Sequence, residues 1–339
     1  MFLTECTEYE VAQIISQLTN GKASDFPIHV IKKLSPILTP VLTAQFNSLM
    51  ADGTFPSCLK TGKIAPIYKK DNEQLLENYR PVSTLPIFGK IFEKIIYERL
   101  YNFLSSNGTI HKTQFGFRKG HSTSHALNNS INLIQKALKD KDHVLGIFID
   151  LSKAFDTIDH KILLEKLNIY GVRGTPLKLI ESYLSGRNQY VSILGELSEQ
   201  LQVIFGVPQG SCLEFLLFLI YINDLANSHL NTEFVLCADE NNIFVRAKIK
   251  VGAYKNADTI LKFVNLYMMA NKLRINMTKS CFVDFKPCKN NLLPEESKES
   301  FGIRIQNIKI KQVNETKFSG ITIDENINWN AHLNCHKNN

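Results

Sequence analysis

The sequence has no CxxC pair, no internal repeat, no low-complexity tract and no apolar run long enough to cross a bilayer. Seven cysteines lie scattered at positions 6, 58, 212, 237, 281, 288 and 335. An odd set without paired spacing excludes a disulfide framework and a zinc ribbon or knuckle, and it fits a reducing compartment, nucleus or cytoplasm. The opening MFLTECTEYE is acidic and has no apolar core, so no secretory leader is expected and the protein is read as intracellular, not secreted. The longest apolar run, Phe215 to Ile222, falls far short of the ~20 residues that span a membrane, and is expected to form a buried helix face with no membrane partner.

What remains is ordinary for a globular chain. Of 339 residues, 44% are hydrophobic and 21% charged, enough for one large domain or two modest ones. Lysine and arginine number 39 against 32 aspartates and glutamates, a net charge of +7. A mild excess of this kind suits a nucleic-acid partner without requiring one.

Periodicity predicts a first helix from Glu8 to Leu18, with Val11, Ile14, Ile15 and Leu18 on one face and Thr7 with Glu10 as a capping box. A second helical stretch from Ile28 to Met50 should be broken or kinked at Pro36 and Pro40. Helices are expected from Ile91 to Leu104, Thr123 to Leu138, Lys161 to Leu167, Leu177 to Leu184 and Ala257 to Met269, with another beginning near Ser211. Val144 to Ile149 reads as a buried strand that ends on Asp150, and Gln189–Ile193 with Leu201–Ile204 as a hairpin. Thr232–Leu236 and Asn242–Val245 read as two strands joined by a turn, Cys237-Ala-Asp-Glu-Asn241. The mixture predicts an α+β fold whose sheet is covered by helices on one side.

Three features could carry chemistry. Asp150 at a strand end and Asp239 with Glu240 in a turn could converge on one sheet edge. Hard carboxylate oxygens so placed suit Mg²⁺ ions that bridge the oxygens of a phosphoryl transfer. Taken singly, each acid caps a strand or a turn. Gly206-Val-Pro-Gln-Gly-Ser211 stands before a helix, where glycine lets backbone approach a ligand closely. Lys60, Lys63, Lys69, Lys70 and Arg80, with Arg118 and Lys119, could clamp phosphates, although any one alone reads as a solvated surface.

The order of the motifs says more than any one of them. Ile64-Ala-Pro-Ile-Tyr-Lys-Lys70, Asn78-Tyr-Arg-Pro-Val-Ser83, Gln114-Phe-Gly-Phe-Arg-Lys-Gly-His-Ser-Thr123 and Phe148-Ile-Asp-Leu-Ser-Lys-Ala-Phe-Asp-Thr157 come first. Gly206-Val-Pro-Gln-Gly-Ser211, Tyr221-Ile-Asn-Asp-Leu225, Ala238-Asp-Glu240, Asn271-Lys-Leu273 with Lys279, and Lys317-Phe-Ser-Gly320 follow. The series resembles the reverse transcriptase domain of a non-LTR (LINE-type, jockey-like) retrotransposon, most firmly from Phe55 to Asp324.

That resemblance implies a right-hand polymerase with fingers over about 55–140 and a palm over about 141–324. Residues 1–54 would be a helical extension and 325–339 the truncated start of a thumb, with no endonuclease domain before Met1. Asp150, Asp239 and Glu240 would be the catalytic, metal-holding acids of an antiparallel palm sheet, binding two Mg²⁺ ions or Mn²⁺. Lys69, Lys70 and Arg80 would neutralise the triphosphate. Phe155 would lie under the nucleotide sugar, Gln209 and Gly210 would line the nucleotide or template, and Lys279 would give a proton to the leaving pyrophosphate. The expected partners are an RNA template, a DNA primer and deoxynucleoside triphosphates. A palm-fold nucleotidyl cyclase would share the acids but not the fingers motifs.

The sequence also departs from the family pattern. The usual Phe-Ala-Asp-Asp turn is Cys237-Ala-Asp-Glu240, the usual Ile-Leu-Gly-Pro is Cys212-Leu-Glu-Phe215, Phe-Leu-Gly is Phe318-Ser-Gly320, and the Trp before Asn-Lys-Leu is Tyr267. These changes raise the alternative of a catalytically impaired or dead retroelement relic that at most binds nucleic acid.

Overall fold

A computed structural model of the protein describes residues 1–19, 24–70, 72–227, 232–237, 240–286, 302–305, 308–318 and 320–328. In chain order the helices are α1 (Glu8–Ser16), α2 (Ile28–Lys33), α3 (Ser35–Asp52), α4 (Ile87–Ser106), α5 (Thr123–Lys139), α6 (His160–Ile169), α7 (Thr175–Leu184), α8 (Glu214–Ile222) and α9 (Lys250–Ala270). The strands are β1 (Thr61–Tyr68), β2 (Tyr79–Thr84), β3 (His143–Asp150), β4 (Arg187–Ile193), β5 (Glu196–Leu197), β6 (Leu201–Val203), β7 (Thr232–Cys237) and β8 (Glu240–Ala247). They continue with β9 (Cys281–Phe285), β10 (Arg304–Ile305), β11 (Ile308–Lys309), β12 (Lys311–Gln312), β13 (Glu315–Phe318) and β14 (Ile321–Asp324). Among the described residues no helix is long and apolar enough to cross a membrane.

The chain forms two compact units. One comprises Met1–Ile110 with Phe155–Tyr221, the other His111–Ala154 with Ile222–Asn339.

In the first unit the sheet runs β2-β1-β4-β5, with β6 also on β4. β1 and β2 pair antiparallel, whereas β1 and β4 pair parallel. The aromatic centre is Phe46 stacked on Phe92 at 4.8 Å, Phe55 on Phe92 at 5.4 Å, and Tyr183 edge-on to Phe55 at 5.1 Å. α1 buries Val11 and Ile15, and its Thr7 side chain accepts the Glu10 N–H. The Glu10 carboxylate does not complete the capping box by reaching back; it is held by Arg99 of α4. Pro36 stands in the first turn of α3, where its missing N–H costs nothing, and Pro40 is carried inside the helix.

The second unit is built on the sheet β12-β9-β3-β8-β7. β3 pairs antiparallel with both β8 and β9, and β7 with β8, while the short β12 runs parallel to β9. The expectation of helices on one side of this sheet is corrected. Ala126, Leu127, Ile134 and Ala137 of α5 cluster with Val144, Phe148, Val283 and Phe285. Tyr254 of α9 instead meets Phe282 and Asp284, which alternation points to the opposite face from Val283 and Phe285. Both faces are therefore covered, and β3 is buried from Val144 to Ile149 for that reason. Gly146 is forced at the middle of β3, because a Cβ there would lie 2.6 Å from the Phe285 ring.

Candidate active site

Asp150 is the last residue of β3, and its register partner on β8 is Glu240. Directly opposed residues share a face, with Cβ atoms roughly 5 Å apart, so the two side chains start side by side. The end of β3 is tied down. The Asp150 N–H donates to Ser280 Oγ at 3.2 Å, and the Asp150 carbonyl accepts from the Asn276 N–H at 2.8 Å. Lys279 places its Nζ 3.7 Å from Asp150 Oδ2, so a cation stands beside that acid. Glu240 is not in the turn. It opens β8 and pairs with Cys237, so the strands run further toward the tip than their apolar residues suggest. Asp239 lies outside the described residues, as does Ala238. Among the described residues no three His, Cys, Asp or Glu side chains converge as a metal cage. Two adjacent carboxylates at a strand end are nonetheless the donor set that a hard, partly hydrated cation such as Mg²⁺ accepts.

The first unit carries the other half of the predicted residues. Gly206-Val-Pro-Gln-Gly-Ser211 is a loop fastened at several points. The Gly206 N–H donates to Ile158 O at 2.8 Å, Val207 N–H to Phe155 O at 3.0 Å, and Ser83 N–H of β2 to Gln209 O at 3.0 Å. Gln209 Nε2 donates to Asp156 Oδ1 at 2.8 Å. Glycine is required at 206, where φ is +78° and a Cβ would lie 2.8 Å from the backbone of Phe155 and Asp156. At 210 φ is +95° and a Cβ would lie 3.1 Å from Ser83 O. Phe155 packs edge-on against Phe215 at 5.6 Å and against Phe218 at 4.9 Å. Phe155, Gln209 and Gly210 thus belong to one cluster with β2, which also bears the exposed Arg80. Lys69 and Lys70 follow β1 directly, two and three residues past Ile67, the register partner of Arg80. They are exposed at the turn end of the β1–β2 hairpin, where Lys69 N–H donates to Asn78 O. Lys60, part of the basic series, has its ammonium pKa lowered by burial and by Arg187.

Glu214, one of the departures from the family pattern, finds partners. Glu214 is 5% exposed and opens α8, where its N–H is capped by Ser211 Oγ at 3.0 Å. Its carboxyl accepts the Gly210 N–H at 2.6 Å. Burial pushes that carboxyl up to about 7; the Gly210 N–H and Arg80 pull it down, and Asp156 and Glu93 push it up. The folded protein therefore holds a proton that the unfolded chain releases near the usual 4.5. The associated stability is full below about 4.5 and lost as pH rises through about 7, on the order of 3 kcal/mol. Denaturant unfolding at about pH 5 and about pH 8 should show the parent losing that much more than a Glu214→Gln variant, and equal losses would refute it.

The family profile described as reverse transcriptase (RNA-dependent DNA polymerase) matches residues 67–323, which takes in both halves. The chain belongs to the reverse transcriptase family. The chain is similar to the RNA-directed DNA polymerase from mobile element jockey of Drosophila melanogaster, 28% identical over 345 residues. That match covers 98% of the chain and 36% of the relative. It is also 28% identical over 342 residues to the probable RNA-directed DNA polymerase from transposon X-element of the same fly, covering 98% of the chain and 37% of the relative. The chain thus spans about a third of the length of these relatives. In fold it is similar to an apo telomerase from Candida tropicalis, with a TM-score of 0.52 and 13% identity over 88% of this chain and 59% of that one.

Two groups escaped the sequence-based reading. Glu93 is a buried carboxylate whose Oε2 accepts the Cys212 N–H at 2.8 Å. Flanking lysines make it look like surface, yet Gly89, Glu93, Ile96 and Leu100 fall on one buried stripe of α4, which was the available signal. Ser280 left none, because a serine before a strand has many uses.

Proposed function

We propose that the chain is the polymerase core of a jockey-like retrotransposon reverse transcriptase, acting inside the cell with fingers over about 55–140 and a palm over about 141–324. It would extend a DNA primer on an RNA template from deoxynucleoside triphosphates. The observation that carries this reading is Asp150, at the end of a fully buried central strand and opposite Glu240. Asp150, Asp239 and Glu240 would hold two Mg²⁺ ions, or Mn²⁺, which supply charge stabilisation at the attacking and leaving oxygens. Arg80, helped by Lys69 and Lys70, neutralises the triphosphate. Phe155, braced by Phe215 and Phe218, presents a rigid ring beneath the sugar that collides with a 2′-hydroxyl. Gln209 and Gly210 border the base and the template, and Lys279 Nζ protonates the leaving pyrophosphate.

Glu240 favours a second reading, a relic that binds nucleic acid without extending primers. Incorporation of dTTP on poly(rA)/oligo(dT) in Mg²⁺ or Mn²⁺ separates the two: template-dependent extension supports the polymerase, and binding alone supports the relic. Under either reading, binding of a template–primer weakens with salt. Each phosphate contact should contribute ~0.9 to the log–log slope on B-DNA and less on single strands. Affinity that stays flat from low to physiological salt would contradict a phosphate clamp.

A further inference from the structure

The Gly206–Ser211 loop is held from below by two buried carboxylates that come from different elements. Glu214, at the start of α8, takes the Gly210 N–H at 2.6 Å, and Glu93, in the middle of α4, takes the Cys212 N–H at 2.8 Å. They are 5% and 1% exposed. Burying a carboxylate is expensive unless its hydrogen bonds are strong and specific. Here the return on that cost is the position of two backbone amides on either side of Ser211. The charge of Arg80 acts on Glu214, and those of Arg187 and Lys90 act on Glu93. On its upper side the same loop bonds through Gln209 to Ser83 and Asp156.

We propose that Glu214 and Glu93 are positioning residues, which clamp the Gly210 and Cys212 amides so that Gln209 and Gly210 hold a fixed place beside β2 and the Phe155–Asp156 turn. The inference rests on the reading that Gln209 and Gly210 border the incoming nucleotide. Glu214 is thereby a working part of this chain, although the family pattern has glycine there. It replaces backbone flexibility at the helix start with a hydrogen-bonded strut.

The test compares Glu214→Met, which keeps volume and loses the acceptor, with Glu214→Gln, which keeps an acceptor. Both are made in the full chain, and Glu93→Gln serves as the matching control on α4. Methionine leaves the Gly210 N–H without its acceptor, so the variant should remain folded and cooperative but unfold somewhat below the parent's temperature. Amide hydrogen exchange at Gly210, measured at about pH 8 where Glu214 is ionised, should quicken about tenfold or more in Glu214→Met and stay within about threefold of the parent in Glu214→Gln. In primer extension the KM for dTTP should rise about tenfold in the methionine variant, with kcat within about threefold. Glutamine should restore the KM. Unchanged Gly210 exchange overturns the inference, and so does an unchanged KM in an extending enzyme. If the parent takes no nucleotide at all, the functional reading fails separately, and the exchange measurement still decides the clamp.

Discussion

Asp150→Asn is expected to lower primer extension by at least about 10³-fold, about 4 kcal/mol of transition-state stabilisation, while template–primer affinity stays within about twofold. Asparagine is close to isosteric, and the end of β3 is fixed by backbone bonds that the substitution leaves alone, to Ser280 and from Asn276. What it removes is the negative charge beside Glu240 and Lys279. The proposed cation site would lose its anchor, and Lys279 its ion-pair partner. Binding should persist because the proposed phosphate clamp is made of the exposed cations Lys63, Lys69, Lys70 and Arg80 and does not include this acid. Activity within tenfold of the parent would mean that Asp150 is only a strand terminus, and equal loss of binding and extension would mean that the substitution damages the fold.

Glu240→Asp is expected to raise Mg²⁺-dependent extension about tenfold or more, at least about 1.4 kcal/mol of barrier. The backbone of Glu240 is fixed as the first residue of β8, paired with Cys237 on one side and Asp150 on the other. The longer side chain cannot be accommodated by sliding the strand, because one step of register would turn every buried β8 side chain to the wrong face. Its carboxyl must fold back or displace the ion, and Mg²⁺ demands near-octahedral ligands at about 2.0–2.1 Å. Mn²⁺ should partly rescue the parent. The comparison belongs in a background that keeps Glu214 and Phe215, since the former holds Gly210 and the latter braces Phe155. A parent that already extends as fast as Glu240→Asp would show that the glutamate is no lesion.

Much of the fold follows from local pattern. The apolar run before Asp150 is a strand because both its faces are buried, and Ser122 caps α5 one residue before the predicted start. α4 and α9 begin earlier than their apolar stripes, since their first turns carry mixed residues that tertiary contacts recruit into the helix. β7 and β8 likewise exceed their apolar stretches: Cys237, Glu240 and Asn241 gain ladder bonds from their partner strands rather than from propensity. The side on which helices cover a sheet is invisible in a period of two when every position is apolar, as in β3. At the site, Asp150 and the glycines of the 206–211 loop were legible because chain chemistry demands them there. Glu93 was not, because a buried acid on a helix flanked by lysines is distinguished from a surface one only by its place on the α4 stripe.

The central claim, that Asp150 and Glu240 are part of a template-directed polymerase site, is tested most directly by single-nucleotide incorporation. The Glu240→Asp protein is given an RNA template with an annealed DNA primer, Mg²⁺, and each of the four deoxynucleotides and four ribonucleotides in turn. The predicted result is addition of the complementary deoxynucleotide alone, lost on adding Asp150→Asn, with the matching ribonucleotide rejected at Phe155. No addition in either Mg²⁺ or Mn²⁺, or addition indifferent to the template base, would contradict the account.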